Sequence, residues 1–109
     1  MKKKKIKILG TEWSYYTLKE VKFEEIHADC PDSGALTLPV SKEMCFMAEC
    51  LEIGAVRHEV RHAFIAELCL ESAELTIDQF EEVQCTLDEN KWEQMDEASK
   101  EIYENLIVK

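Results

Sequence analysis

The stretch "GAVRHEVRHAFIAE", residues 54–67, decides how this chain is organised, because it is where strand-like patterning has given way to helix. A helical run from about Ala55 to Leu70 carries His58, Glu59 and His62 in the order H-E-x-x-H. On an α-helix, positions i and i+4 lie about 40° apart on one face, one turn along the axis. Two imidazoles at that spacing can converge on one ion, which neighbours at i+1 or i+2 cannot do. Glu59 projects about 100° further round the helix. A zinc hydrolase needs that set: two neutral imidazole ligands, and a carboxylate to take the proton from water whose pKa zinc lowers to about 7. The bland alternative is a histidine pair on an ordinary helix, with Glu59 and Arg61 as polar filler. Chance alone would give the motif in roughly one of a hundred sequences of this composition.

Upstream, the first forty residues read as β. "KIKILG" alternates Lys with apolar side chains and ends on Gly10, "EWSYYTL" is rich in aromatic and β-branched residues, and "VKFEEI" alternates again. A turn cluster, "DCPDSG", precedes "ALTLPV", a short strand closed by Pro39, which suits a sheet edge because proline has no N–H. Three or four antiparallel strands are expected. From Ser41 the spacing becomes helical, with Met44, Met47, Ala48 and Leu51 on one side of a helix that Ser41 would cap. Downstream, Thr76 and Gln79 form a capping-box pattern before a stripe of Ile77, Phe80, Val83 and Leu87. A last helix over roughly 91–107 would bury Trp92, Met95, Ile102 and Leu106. The expected fold is α+β in a single domain spanning 1–109: a small N-terminal antiparallel sheet packed on the H-E-x-x-H helix, then two further helices.

The net charge is −10, and residues 67–109 supply the excess, with thirteen acidic side chains against Lys91, Lys100 and Lys109. Such a surface repels phosphate backbones, so direct nucleic-acid binding is not expected. It suits either a solvated helical face or a patch that docks on a basic protein or peptide. No run approaches the roughly 18 apolar residues of a membrane span, and the Lys2–Lys5 run lacks the apolar stretch of a secretion signal. The five cysteines (Cys30, Cys45, Cys50, Cys69 and Cys85) are odd in number and irregular in spacing, which fits reduced thiols in the cytoplasm. They lack the close pair of a zinc knuckle, although Cys69 returns to the face of His58 and His62.

A third metal ligand would come from a later helix as a carboxylate. Glu81 and Glu82 are the candidates. With Phe80, Val83 and Leu87 inward, Glu81 flanks the buried stripe and Glu82 lies nearly opposite it, so helical phase favours Glu81.

"KIKILGTEW", "ALTLPV", "VRHEVRHAFIAE" and "FEEV" together resemble the small zinc-peptidase-like proteins of phages and mobile elements, akin to the ImmA/IrrE group and more distantly to the gluzincins. The resemblance runs through most of the chain in order, but its specific part is His58 to Phe64. It implies zinc bound by His58 and His62 with Glu59 as general base. It also implies a glutamate ligand, matched by Glu81, and four residues later an Asp or Asn that supports a zinc histidine. Here that residue is Cys85, a poor acceptor for an imidazole N–H. The strand beside the active-site helix, best matched by "ALTLPV", would bind extended peptide by β-addition. Tyr15, Tyr16, Tyr103 and His27 are all chemically able to stabilise an oxyanion, and nothing in the sequence ranks them. The resemblance implies a zinc metallopeptidase that cuts one specific protein. The competing expectation is a catalytically inactive relative that inhibits a host factor through its acidic surface.

Overall fold

The computed structural model describes residues 2–27, 34–69 and 77–107. Strands β1 (Lys4–Ile8) and β2 (Thr11–Leu18) form a hairpin whose register pairs Ile8 with Thr11. The two residues between them, Leu9 and Gly10, have φ of 49° and 85°. Positive φ at both centres is what a two-residue turn needs to follow the right-handed strand twist. Strands β3 (Ala35–Leu38) and β4 (Glu43–Met47) form a second hairpin, with Leu38 opposite Glu43. The hairpins join through β2 and β4, which run parallel, with Ser14 opposite Glu43 and Leu18 opposite Met47. The sheet order is β1-β2-β4-β3, so the strand carrying "ALTL" is an edge, as Pro39 led us to expect. The sheet is therefore mixed rather than purely antiparallel. The chain between β2 and β4 is long enough for the crossover that a parallel pair requires.

Period-two alternation sends side chains to two different cores. Trp13 and Tyr15 of β2, with Met44 and Phe46 of β4, face helices α2 (Ile53–Cys69) and α4 (Trp92–Ile107), where they meet Val56, Val60, Met95 and Ile102. Tyr16, Leu18, Cys45 and Met47 point the other way, onto Phe23 of α1 (Glu20–Ile26). Helix α3 (Ile77–Asn90) adds Leu87 to the larger core and passes to α4 through Lys91, whose N–H bonds the Leu87 carbonyl. The architecture is α+β, a four-stranded sheet followed by helices.

Three local expectations are corrected. Residues 21–26, read as an alternating strand, fall in α1; only Phe23 is buried, while Val21 and Ile26 are exposed. A helix satisfies its own backbone and can seat that single aromatic on the sheet. Residues 43–47, read as the start of a helix, form β4, followed by a 3₁₀ turn over Ala48–Cys50. Met44, Cys45, Phe46 and Met47 are all buried in succession, which a helical stripe cannot achieve but a strand covered on both faces can. At the start of α4, Trp92 stays 55% exposed, whereas Met95 and Ile102 are buried as expected. The expected cap at Thr76 lies outside the described residues, as do the side chains of Ile77, Phe80, Val83 and Cys69. Among the described residues, no helix is long and apolar enough to cross a membrane.

Candidate metal and general-base site

Helix α2 lies across one face of the sheet and burying Val56, Val60, Ala63 and Phe64 fixes its rotation. That rotation distributes the motif. His58 and His62 are exposed, while Glu59, between them in the helical projection and the sheet, is only 6% exposed. The two Nε2 atoms approach to 3.1 Å, with ring centroids 4.7 Å apart and planes at 77°. Two nitrogens bound to one tetrahedral zinc at about 2.0–2.1 Å stand about 3.4 Å apart, so the separation of the pair is within a few tenths of an ångström of the one zinc needs. Without an ion, the same contact is a hydrogen bond between one protonated and one unprotonated ring nitrogen.

Glu59 turns toward the edge strand. Thr37 of β3 places its Oγ1 2.8 Å from Glu59 Oε1 and 3.0 Å from the Glu59 main-chain oxygen. A shallow groove of about 400 Å³ runs past this point, lined by His58 and Glu59 together with Gly34, Ala35, Cys50 and Glu52. One imidazole and the candidate base thus share a cleft beside a sheet edge. Thr37 was not singled out by sequence reasoning, yet "ALTL" carried the signal: alternation puts this lone hydroxyl on the same face as Ala35, toward the helix.

Glu81 is not brought to the histidine pair. It is exposed and lines a separate groove with Glu82, Cys85, Thr86 and Glu89. Among the described residues, no three His, Cys, Asp or Glu side chains are grouped to hold a metal ion. Among the described residues, Arg61 and Asp88 form an ion pair that ties α3 to α2. Glu81 sits seven residues before Asp88, about 10 Å along the helix axis, which separates it from the level of α2 that Asp88 meets. Arg57 bonds Asp96 of α4 at 3.1 Å, and Lys100 bonds the other oxygen of Asp96 at 3.0 Å. Both arginines of "VRHEVRH" are therefore turned toward the helical layer.

None of Tyr15, Tyr16, Tyr103 and His27 lines the groove of His58 and Glu59. Tyr15 is buried and accepts a hydrogen bond from Asn105 Nδ2 at 3.0 Å; burial raises its pKa. Tyr16 is buried on the opposite face beside Cys45, and burial pushes the Cys45 thiol up to about 11, an unreactive packing thiol. Cys50 is a free, exposed thiol at the groove.

A second polar cluster fixes the far half of α2. Glu67 Oε1 accepts from Trp13 Nε1 at 2.8 Å and from Lys42 Nζ at 2.7 Å, and Lys42 also stands 5.4 Å from the centre of the Trp13 ring. Burial pushes the Glu67 carboxyl up, but hydrogen bonds from Lys42, Trp13 and Thr11 outweigh it and hold the group below the usual carboxylate range. No protein-family model, curated protein or solved structure matches the chain.

Proposed function

We propose that the chain is a zinc-dependent hydrolase acting on peptide bonds, with His58 and His62 as the metal-holding pair and Glu59 as general base. The observation that carries this reading is the 3.1 Å approach of the two Nε2 atoms, with His58 and Glu59 lining one groove. Two of the three protein ligands of a catalytic zinc site are at hand: imidazole is a preferred ligand, and both rings are exposed to an incoming ion. A bound zinc would supply a water acidified to a pKa of about 7 and a Lewis acid for the peptide carbonyl. Glu59 would hold the proton removed from that water on its carboxylate and return it to the leaving amine. The free edge of β3 would align an extended peptide through main-chain hydrogen bonds, and the acidic surface would favour basic sequences. Glu81 remains the proposed third ligand on the resemblance to the phage-type zinc peptidases, and it joins the pair only with a displacement of α3 relative to α2. The free thiols Cys45, Cys50 and Cys85 suit a reducing compartment, and we place the protein in the cytoplasm.

Elemental analysis of zinc-supplied protein tests the reading. About one zinc per chain is expected, lost in His62→Ala, retained in Glu59→Gln with hydrolysis abolished, and weakened in Glu81→Gln. Absence of stoichiometric metal in the wild type refutes it. A second reading is favoured by Trp92, exposed at the start of α4 on the same helix as exposed Glu93, Glu97 and Glu101. In that reading the protein is a non-catalytic binder of a basic partner. Charge reversal at those three glutamates would then abolish the biological effect, whereas Glu59→Gln would leave it intact.

A further inference from the structure

We infer that Thr37 is the positioning residue of the general base, locking the Glu59 carboxylate to the edge strand; the inference rests on the hydrolase reading above. Glu59 is almost fully buried, and a buried carboxylate keeps a defined orientation only where donors fix it. Thr37 Oγ1 supplies such a donor, and it lies within reach of two acceptors of the same residue, Oε1 at 2.8 Å and the main-chain oxygen at 3.0 Å. With a single hydroxyl proton, it can satisfy one fully or share itself between both. A proton directed at Oε1, alone or shared with the main-chain oxygen, holds the Glu59 carboxylate against β3.

The donor is itself rigid. Threonine is stiff at χ1, and Thr37 is held in register opposite Met44 of β4, whose side chain is fully buried. Among the described residues the other side of β3 has no neighbouring strand, so a peptide pairing there would run about 4.8 Å away. One residue therefore borders the place where substrate would lie and also holds the group that would act on it. The base is thus aligned beside the edge before a peptide pairs with it. Glu59 without Thr37 would be a buried carboxylate free to choose among rotamers.

The test uses the whole chain with ¹³C-labelled glutamate, first without metal, with the Glu59 signals assigned by their loss in Glu59→Gln. Thr37→Val is expected to move the Glu59 side-chain carbons and replace a single-rotamer coupling pattern by an averaged one. Thr37→Ser, which keeps the hydroxyl, is expected to restore the wild-type pattern. A Thr37→Val protein whose Glu59 pattern matches the wild type overturns the inference. In zinc-supplied protein, zinc affinity measured against a chromophoric chelator should stay within about twofold, while kcat on a panel of basic peptides falls about tenfold or more with KM unchanged. Serine should recover the rate. Loss of zinc affinity in step with the rate also overturns the inference, because Thr37 would then hold the helix rather than the base. If the wild type takes up no zinc, the hydrolase reading fails, and the metal-free coupling pattern still decides whether Thr37 fixes Glu59.

Discussion

Replacing Lys42 by Met should cost this fold more than any ordinary surface charge would. Lys42 keeps 24% of its side-chain surface and Glu67 only 10%, with 2.7 Å between Nζ and Oε1. Met keeps an unbranched apolar side chain and removes the ammonium that faces Glu67 and the Trp13 ring. Glu67 would then remain a largely buried carboxylate with fewer donors. Breaking a fully buried pair costs about 3–5 kcal/mol, whereas exposed pairs contribute about 0–1 kcal/mol. The partial exposure of Lys42 places the expected loss between these, at about 2–3 kcal/mol near pH 7. For a chain of this size that corresponds to a fall in Tm of about 8–15 °C. Because the folded-state pKa of Glu67 is depressed, its contribution is fully present above the unfolded carboxylate value and disappears as pH falls through the folded value. Lys42→Met returns that pKa toward the ordinary range, so the gap between variant and wild type should close under acid. Urea unfolding followed by Trp fluorescence at pH 7 and again near pH 3 measures both quantities. A loss under about 0.5 kcal/mol at pH 7, or an equal loss at the two pH values, refutes the assigned coupling.

Gly10→Ala should lower stability by about 1 kcal/mol, read by thermal melting, because φ of 85° disfavours any residue with a Cβ although the space around it is open. Ile102→Ala, at a fully buried position, should cost about 2–5 kcal/mol, while Trp92→Ala, at an exposed one, should shift stability by less than about 0.5 kcal/mol in the same denaturant titration. Zinc at about one hundred times its dissociation constant should stabilise the wild type by about 2.7 kcal/mol, with the increment absent in His62→Ala. An equal increment in both proteins would mean that zinc acts elsewhere.

Some of this molecule could be read from local spacing alone. The i, i+4 placement puts His58 and His62 on one face wherever the helix is docked, and their rotamers then bring the Nε2 atoms to 3.1 Å. The β1–β2 hairpin, the edge position of "ALTL" and the helices over 53–69 and 92–107 were likewise legible, since each carries a periodicity or a breaker that acts locally. Segments whose pattern fits two periods were not. Met44, Met47, Ala48 and Leu51 have helical spacing, but Cys45 and Phe46 are as buried as Met44, and only the presence of layers on both faces of the sheet makes them a strand. In 21–26 the pattern allowed a strand, and the docking of one aromatic, Phe23, on the second core accompanies a helix instead.

The candidate site divides along the same line. Sequence placed the two histidines and the glutamate on one helix, but not which way each would face. Burial of Val56, Val60 and Phe64 set the rotation of α2, and that rotation sent Glu59 inward to Thr37 while leaving both imidazoles in solvent. Helical phase could rank Glu81 above Glu82 within α3, yet it carried no information on how far α3 slides along α2. The Arg61–Asp88 pair, two side chains far apart in sequence, marks that register in the folded chain, and it leaves Glu81 in a groove of its own. Contacts within one helix are fixed by its pitch; contacts between elements depend on the packing of all of them at once, and no short stretch of sequence contains that.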